Sequence, residues 1–368
     1  MQIGLSSPDI TQAEIDAVVE VLRSGRLSLG PRVEEFEDAV RGYCGTRHAV
    51  AISSGTTGLH LLIRAIGLNP GDEVITTPFS FVASSNCVLF EGGRPVFVDI
   101  DPLTWNIDVS RIEEKITPRT RALLPVDVFG VVAPMDELRA IAQRRRLRVI
   151  EDSCEALGAT YKGRRAGSLG DAGVFGFYPN KQITTGEGGM IVTDDDEIAR
   201  LCRSMRNQGR DGMAWLSHER LGYNYRLSDV NCALGAVQMR RIDEILARRA
   251  QVAAWYTQRL RDEPRVTMQR VPAECGISWF VFVVKLDNRY SEEQRNTMIH
   301  RLREQGIGCS NYFAPIHLQA YFRERYGCKP GDFPVCEAVA ARTVALPFHA
   351  KLSESEADHV CAALRKLL

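Results

Sequence analysis

A lysine in an unusual local setting is the first residue that could do covalent chemistry. Lys181 follows the aromatic, strand-like run Gly173–Tyr178 and a proline, and it precedes the glycine-rich stretch Thr184–Gly189. Small residues allow tight turns and a close approach of the backbone to a ligand. A lysine held in a partly desolvated pocket can lose its proton and form a Schiff base with a carbonyl compound. Most lysines are solvated surface charges, so the residue type alone indicates little.

Two acids at the end of an apolar run are the second feature. Glu151 and Asp152 close the strand-like run Arg148–Asp152. The carboxyl ends of parallel strands border the crevice in which α/β folds bind ligands. A carboxylate at that edge could hold a protonated ring nitrogen, because an opposite charge favours the charged form. Taken alone, such an aspartate is more often a helix N-cap.

A small polar turn between a strand and a helix is the third feature. The stretch Ser53–Leu62 passes from a turn that contains Gly55, Thr56 and Thr57 into an apolar helical pattern. Free amides at a helix start, with the helix dipole behind them, favour an anion, and the two threonines add hydroxyl donors. The spacing matches neither a Walker A loop nor the G-x-G-x-x-G fingerprint, so a redox enzyme that binds a dinucleotide is not supported.

The elements that must position these residues indicate an α/β fold. Short apolar runs alternate with helical patterns between residues 48 and 195, and several are apolar throughout, as expected of strands buried on both faces. The strand-like runs are His48–Ser53, Glu73–Pro78, Pro95–Ile100, Ala122–Val128, Arg148–Asp152, Gly173–Tyr178 and Met190–Thr193. Helices are predicted at Gly58–Gly67 and Pro134–Arg145. We therefore predict a domain built on a mostly parallel seven-stranded sheet.

The pattern changes after residue 194. Val230–Leu260 contains no proline and predicts one long helix that leads into a smaller domain. The remaining sequence predicts a strand at Ser278–Leu286, a helix at Ser291–Gln305 and a closing helix at Ser353–Leu368, which begins with capping-box spacing. We assign residues 1–245 to a large domain with an N-terminal arm and residues 246–368 to a smaller α+β domain.

Composition and charge limit the classes of function. Forty-six lysines and arginines balance 46 aspartates and glutamates, so no net charge attracts nucleic acid or an anionic membrane. The first residues lack the pattern of a secretory signal, and no stretch approaches the ~20 apolar residues of a membrane span. Ten scattered cysteines, with no C-x-x-C pair and no zinc-like histidine spacing, favour free thiols in a cytoplasmic protein without a metal site.

These features, with further motifs, resemble the DegT/DnrJ/EryC1/StrS family of sugar aminotransferases, which are fold-type I enzymes that use pyridoxal 5′-phosphate (PLP). The resemblance runs nearly end to end, and the lysine segment with its glycine tail is highly specific. The motifs that carry it are Gly71–Thr76, Glu151–Asp152, Ala156–Ala159, Gly167–Asp171, Lys181 with Thr184–Gly189, Asn224–Arg226, Asn311–His317 and Leu346–Pro347.

The resemblance implies a role for individual residues around the cofactor. Lys181 would carry PLP as a Schiff base, and Asp152 would pair with the pyridine nitrogen. Gly55, Thr56 and Thr57 would hold the phosphate.

Further residues would complete the site. Phe81 would lie over the cofactor ring. Asn224 and Arg226 would reach the cofactor phosphate or the substrate from the neighbouring subunit, so that a homodimer would be the minimal active unit. Tyr312 and His317 would line the side that binds the sugar nucleotide.

Three positions depart from the commonest pattern of the family. Gly176 stands where many members have a serine that contacts the phosphate. Glu155, which would also contact the cofactor, replaces the usual glutamine or histidine near its phenolic oxygen, and Asp127 replaces a frequent histidine. A subgroup with histidine at the Schiff-base position performs sugar dehydration, and Lys181 argues against that activity.

The implied reaction is ping-pong transamination. L-Glutamate would leave its nitrogen on the cofactor, as pyridoxamine 5′-phosphate, and a nucleotide-linked keto sugar would accept it. The segment Pro179–Gly188 looks more like members that act at C4 of a 4-keto (6-deoxy)hexose or pentose. A 3-keto sugar or an aminocyclitol ketone is the alternative within the family. A sensor protein that has lost catalysis is an alternative from another class, and the presence of Lys181 and Asp152 disfavours it.

Overall fold

The computed structural model describes residues 2–211 and 217–368. In that part of the chain the strands are β1 (His48–Ile52), β2 (Glu73–Thr76), β3 (Arg94–Phe97), β4 (Thr120–Leu123), β5 (Arg148–Asp152), β6 (Thr160–Tyr161), β7 (Arg164–Arg165), β8 (Ala172–Gly176), β9 (Gly189–Thr193), β10 (Val266–Met268), β11 (Cys275–Gly276), β12 (Phe282–Leu286) and β13 (Thr343–Leu346). The α-helices are α1 (Gln12–Ser24), α2 (Pro31–Cys44), α3 (Gly55–Ala65), α4 (Ala83–Phe90), α5 (Met135–Arg145), α6 (Asp196–Arg206), α7 (Asp229–Arg240), α8 (Ile242–Leu260), α9 (Glu292–Glu304), α10 (Ala320–Tyr326), α11 (Pro334–Ala340) and α12 (Glu354–Leu367).

A seven-stranded sheet forms the centre of the larger part of the chain. Its strand order is β1-β9-β8-β5-β4-β2-β3. The strands from β3 across to β8 pair in parallel, whereas β9 runs antiparallel to both β8 and β1. Every residue of β2 and of β9 is buried, because helices cover both faces of the sheet. The predicted α/β fold with a mostly parallel sheet is confirmed.

A second, antiparallel sheet organises a separate core. Its order is β10-β12-β13, and helices α8, α9 and α12 contribute apolar side chains to the same cluster. Ile3 belongs to this cluster and is 1% exposed. The Ile3 amide donates to the carbonyl oxygen of Gly306 at 2.8 Å, and the Gly308 amide donates to the carbonyl oxygen of Ile3 at 2.8 Å. Residues from the two ends of the sequence therefore share one core.

Two predicted elements differ from the structure. The single helix predicted at Val230–Leu260 is two helices, α7 and α8, which are separated at Arg241 (φ −104°, ψ 5°). The strand predicted from Ser278 begins only at β12, because the amide of Ser278 donates to Gly130 and its carbonyl accepts from Gln182. The predicted boundary at residues 245 and 246 falls inside α8 and stays a prediction.

Other predictions agree closely with the structure. Ser291 and Ser353 are the N-caps of α9 and α12, and both make capping boxes. The ten cysteines are all unpaired. Among the described residues, no helix is long and apolar enough to cross a membrane.

Candidate active site

Lys181 lies in the loop between β8 and β9, with its side chain in an enclosed position. Its amide donates to the carbonyl oxygen of Tyr178 at 2.9 Å, and its side chain is only 15% exposed. The Nζ atom is 4.0 Å from the centroid of the Phe280 ring and 3.6 Å from Oε1 of Glu155. An aromatic face and a carboxylate both attract an ammonium group. The reactive nitrogen is thus held at one defined place.

Glu155 is a buried carboxylate whose two oxygens have different partners. Oε1 faces Lys181, and Oε2 accepts the amide of Phe129 at 3.0 Å. Gln182 fixes the backbone by donating from Nε2 to the carbonyl oxygen of Glu155 at 2.6 Å. Burial raises the pKa of Glu155, the charge of Lys181 lowers it, and the charge of Asp152 raises it again. Both charges therefore lie close to Glu155, whose predicted contact with the cofactor stays a prediction.

Asp152 ends β5 on the side of the sheet that faces Lys181. It is 5% exposed, its Oδ2 accepts the hydroxyl of Ser84 at 2.7 Å, and its Oδ1 accepts the amide of Cys154 at 3.3 Å. Because successive strand residues point to opposite faces, Glu151 lies on the other side, where it accepts three amides of residues 167–170. Asp152 is therefore the acid of this pair that can serve the site.

The predicted anion-binding turn forms the start of α3. Ser54 caps the helix, accepting the Thr57 amide at 3.2 Å, and the Thr57 hydroxyl donates back to the carbonyl oxygen of Ser54 at 2.8 Å. The Thr57 hydroxyl is thus engaged in the cap, and its predicted contact with a phosphate stays a prediction. The amides of Gly55 and Thr56 lie in the first helical turn, where no intrahelical acceptor exists, and they remain suited to an anion.

Cys154 connects this turn to the strands beside it. A Cβ atom at Gly55 would lie 2.7 Å from Sγ of Cys154, and one at Gly176 would lie 3.5 Å from the same atom. Only a residue without a side chain fits at Gly55, whereas Gly176 has room for a small one. The start of α3, the end of β8 and the residues after Asp152 therefore surround one small space.

Phe81 and Ser84 lie on the other side of Asp152. Phe81 is 63% exposed, and its carbonyl oxygen lies 3.2 Å from Oγ of Ser84. Since the same hydroxyl reaches Asp152, Ser84 links the carboxylate to the segment that carries the aromatic ring. Ser84 was not predicted from the sequence, because a serine in the first turn of a helix is typical of an ordinary cap.

Of the two residues predicted for the sugar-nucleotide side, the structure brings one to the site. The Tyr312 ring stacks on Phe280, with centroids 6.3 Å apart and an interplanar angle of 7°, so it belongs to the aromatic wall beside Lys181. His317 is fully buried and its Nε2 lies 3.0 Å from Oε1 of Glu337. Among the described residues, none of its contacts reaches Lys181, and the structure does not place it in this site.

Asn224 and Arg226 lie on an extended segment next to the turn. The carbonyl oxygen of Tyr225 accepts the amide of Ser53 at 2.9 Å. Asn224 is exposed, and Nη1 of Arg226 donates to Oδ1 of Asn207 at 3.0 Å. Within the described ranges, no hydrogen bond or ion pair joins either side chain to the lysine. Their predicted action from a neighbouring subunit stays a prediction.

Arg249, on α8, is a further residue that the sequence analysis missed. It is 3% exposed, and its Nη2 donates to the carbonyl oxygens of Asn180, Lys181 and Phe280 at 3.2, 3.0 and 3.5 Å. Burial lowers the pKa of Arg249 to about 10. One guanidinium thus joins the lysine loop to the segment that supplies the aromatic ring. An arginine at a core position of a helix is the one sequence signal that could have identified it.

The residues present fit PLP. The lysine nitrogen is enclosed, the acid is fixed by two hydrogen bonds, and the first-turn amides of α3 are suited to a phosphate. Gly55 accommodates the Cys154 thiol beside that turn, and Gly176 leaves room there for no more than a small side chain. These residues would hold the aldehyde, ring-nitrogen and phosphate ends of the cofactor, respectively.

Comparison with known proteins agrees with this fit. The model of the DegT/DnrJ/EryC1/StrS aminotransferase family matches residues 8–365. GDP-perosamine synthase of Caulobacter vibrioides is 40% identical over 369 residues, which cover 100% of this chain and 98% of that protein. The spore coat polysaccharide biosynthesis protein SpsC of Bacillus subtilis is 37% identical, with 99% and 96% covered.

Solved structures extend the similarity to three dimensions. Helicobacter pylori PseC, an aminotransferase involved in the biosynthesis of pseudoaminic acid, has a TM-score of 0.95 at 28% identity, covering 100% of this chain and 99% of that one. The PLP form of Spr1654 from Streptococcus pneumoniae, a putative sugar aminotransferase, has a TM-score of 0.95 at 29% identity and covers 100% of both chains. The chain therefore belongs to the DegT/DnrJ/EryC1/StrS aminotransferase family and is a PLP-dependent aminotransferase.

Proposed function

We propose that the protein transfers an amino group from L-glutamate to C4 of a nucleotide-linked 4-keto sugar. The observation that carries the proposal is the enclosure of the Lys181 nitrogen between Phe280 and Glu155, in a site that also contains Asp152. The sugar-nucleotide class is supported by the name of the GDP-perosamine synthase, which is 40% identical over the full length of this chain.

The residues of the chain divide the work of proton transfer. When bound, PLP supplies an aldehyde that takes up amino groups and a ring that accepts the electron pair of a broken C–H bond. Once its nitrogen is free, Lys181 can take a proton from the donor carbon and later return one to the acceptor carbon. Asp152, fixed by Ser84 and the Cys154 amide, keeps a proton on the ring nitrogen by its opposite charge.

The aromatic wall has a separate task. Phe280 and Tyr312 stack beside the lysine and exclude water from the side that they cover. Exclusion of water strengthens each electrostatic contact within the site and protects reactive groups from hydrolysis. Arg249 donates hydrogen bonds to the carbonyl oxygens of Lys181 and Phe280, which fixes the position of the lysine loop relative to the aromatic wall.

Two substitutions test the assignment of the catalytic groups. Lys181→Ala should lose both the visible absorbance of the bound cofactor and transamination, because no other group supplies its nitrogen. Asp152→Asn has the same shape without the charge, so it should retain cofactor and slow the glutamate half-reaction by at least about 100-fold. Full activity of the first variant, or an unchanged single-turnover rate of the second, would contradict these roles.

The substrate is tested by direct comparison of acceptors. Purified enzyme and glutamate are supplied with 4-keto or 3-keto sugars linked to GDP, dTDP or UDP, or with a cyclitol ketone. The amino product is detected by mass spectrometry and 2-oxoglutarate by a coupled assay. The GDP-linked 4-keto sugar should be the best acceptor. A faster reaction at C3 or with the cyclitol would overturn the C4 assignment, and bound cofactor without turnover of any acceptor would favour a sensor.

We further propose that the site is shared between the subunits of a homodimer. Asn224 is exposed, and among the described residues no hydrogen bond or ion pair joins Asn224 or Arg226 to Lys181 of the same chain, which supports this. Mixed dimers of Lys181→Ala and Arg226→Ala chains should regain activity, since one of their two sites carries both native residues. Absence of recovery in dimers shown to be mixed would contradict a shared site.

A further inference from the structure

The segment that carries Asn224 and Arg226 shows different residues on its two faces. The amides of Tyr223 and Tyr225 donate to the carbonyl oxygens of Met205 and Arg206, at 2.7 and 3.0 Å, which keeps the segment extended. The two tyrosine rings stack on the inner face, with centroids 4.8 Å apart and an interplanar angle of 8°. Because alternate residues of an extended chain point to opposite sides, Asn224 points outward.

Beneath the tyrosines lies a polar chain that the reaction does not use. Nδ1 of His60 is 3.1 Å from the hydroxyl of Tyr225, and its Nε2 is 2.7 Å from Oε1 of Glu91. The side chains of His60 and Glu91 are only 6% and 9% exposed. Arg64 balances the carboxylate by an ion pair at 2.6 Å, whereas Tyr223 reaches it only at 3.4 Å.

The hydrogen bonds of this chain engage both nitrogens of the His60 ring. Nε2 contacts the carboxylate of Glu91, and Nδ1 contacts the hydroxyl of Tyr225. Burial, with the charge of Glu91 as a smaller cause, raises the pKa of Tyr225, so its hydroxyl keeps its proton. Each polar group of the chain Glu91–His60–Tyr225 therefore has a partner, which makes a buried network rigid.

The same chain connects three parts of the active site. His60 is on α3, whose first turn carries the amides suited to a phosphate. Glu91 directly follows α4, whose first turn carries Ser84, the partner of Asp152. Tyr225 lies between the two outward residues and bonds through its carbonyl oxygen to Ser53, just before the turn. A shift of any of the three would break a buried hydrogen bond.

We propose that Glu91, His60 and Tyr225 are positioning residues that set the reach of Asn224 and Arg226 towards a phosphate group held in the site of a second copy of the chain. The phosphate belongs either to the cofactor or to the nucleotide of the substrate. The three positioning residues contact no ligand themselves and act only through Asn224 and Arg226. The proposal therefore rests on the shared site proposed above.

Tyr225→Phe tests the proposal, because it removes one hydroxyl and keeps the stacked ring. Tyr223→Phe is the matched control, since its hydroxyl has only the longer contact, and Asn224→Ala reports the effect of losing the ligand contact. The affinity of the apoenzyme for PLP is measured by fluorescence titration, and KM for the nucleotide sugar is measured separately from kcat. Thermal unfolding of each variant is recorded in parallel.

Tyr225→Phe should weaken one of the two affinities about three- to ten-fold, the value expected for one buried hydrogen bond. Asn224→Ala should weaken the same affinity at least as much, and Tyr223→Phe should stay within about two-fold of the native chain. A change in the affinity for PLP would identify the phosphate of the cofactor, and a change in KM would identify the phosphate of the nucleotide sugar. A purely structural role would lower the melting temperature without this selective change in affinity, and that result would overturn the proposal.

A second pair of variants covers poor folding of Tyr225→Phe. His60→Asn can still form a hydrogen bond with the tyrosine hydroxyl through its side-chain amide and should keep more affinity than His60→Ala; equal losses would count against positioning. If Tyr225→Phe keeps the native affinity while Asn224→Ala loses affinity, the positioning role is refuted and the role of Asn224 is not. Native affinity in both would defeat the role of Asn224 as well, whereas the Lys181→Ala test stands independently of either.

Discussion

Replacing Lys181 by methionine in the apoenzyme should reveal the cost of an unpaired carboxylate at Glu155. In the native chain the two charged atoms are 3.6 Å apart, and the side chains are 15% and 8% exposed. At an effective dielectric constant of about 20, two unit charges at that distance attract each other by about 5 kcal/mol. The cost of removing both groups from water offsets much of this attraction.

Removal of one partner from a buried ion pair generally costs about 3–5 kcal/mol, because the other charge stays buried. The hydrogen bond from the Phe129 amide remains, so we expect a loss of about 2–4 kcal/mol of unfolding free energy at pH 8 for Lys181→Met. Burial already raises the pKa of Glu155 above the usual 4.5, and loss of Lys181 raises it further. Between the pKa of Glu155 in the unfolded chain and its higher pKa in the folded chain, a rise in pH removes the Glu155 proton from the unfolded chain first. The unfolding free energy of the variant therefore falls as pH rises through this range. The deficit should therefore shrink towards pH 5.

Urea unfolding of the apoenzyme between pH 5 and 8 measures the effect, with Glu155→Gln and the double variant completing a double-mutant cycle. The double variant contains no unpaired charge at this place, and it should recover about 2–3 kcal/mol relative to the sum of the single losses. A deficit of Lys181→Met that does not change with pH, or single losses that simply add, would show that the two groups do not form a coupled pair.

Three further substitutions follow from the structure. Arg241→Met should lower the unfolding free energy by about 2–4 kcal/mol at pH 7, since burial raises the pKa of Glu14 and hydrogen bonds, including that from Arg241, bring it to about 2. The loss should shrink as pH falls from about 4.5 to 2 in urea unfolding; a constant loss would contradict the pairing. Gly130→Ala should lower the melting temperature far more than Gly163→Ala, because both have positive φ but only the first Cβ would lie 1.8 Å from a carbonyl oxygen; equal shifts would refute this. Gly176→Ser should keep the native melting temperature and tighten PLP binding several-fold by adding a phosphate donor; unchanged affinity would place the hydroxyl elsewhere.

The fold was largely predictable because buried parallel strands leave continuous apolar runs in the sequence. The helix break at Arg241 was not, since the local pattern there is that of an unbroken helix. Arg241 pairs with Glu14, 227 residues away, and with Asp9 near the start of the chain. Contacts at such a separation leave no trace in local spacing.

The active site divides in the same way. Lys181 and Asp152 belong to local motifs whose residue types and spacing predict their roles. Phe280 and Arg249 complete the lysine site from distant segments, and the one local signal is the core position of the arginine on its helix. His317 stays a prediction, because its motif resembles a substrate-binding segment while its side chain is buried against Glu337.

The pairing of Ile3 with residues 306–308 constrains the order in which the protein can fold during synthesis. The ribosome makes Ile3 about 300 residues before its hydrogen-bonding partners Gly306 and Gly308. At about 5–20 residues per second, that interval lasts roughly 15–60 s. The seven-stranded sheet, whose strands end at Thr193, can assemble on the emerging chain in the meantime. The core that contains Ile3 also includes Leu364, so it closes only after that residue has left the ribosome, and until then the Ile3 side chain must avoid other partners.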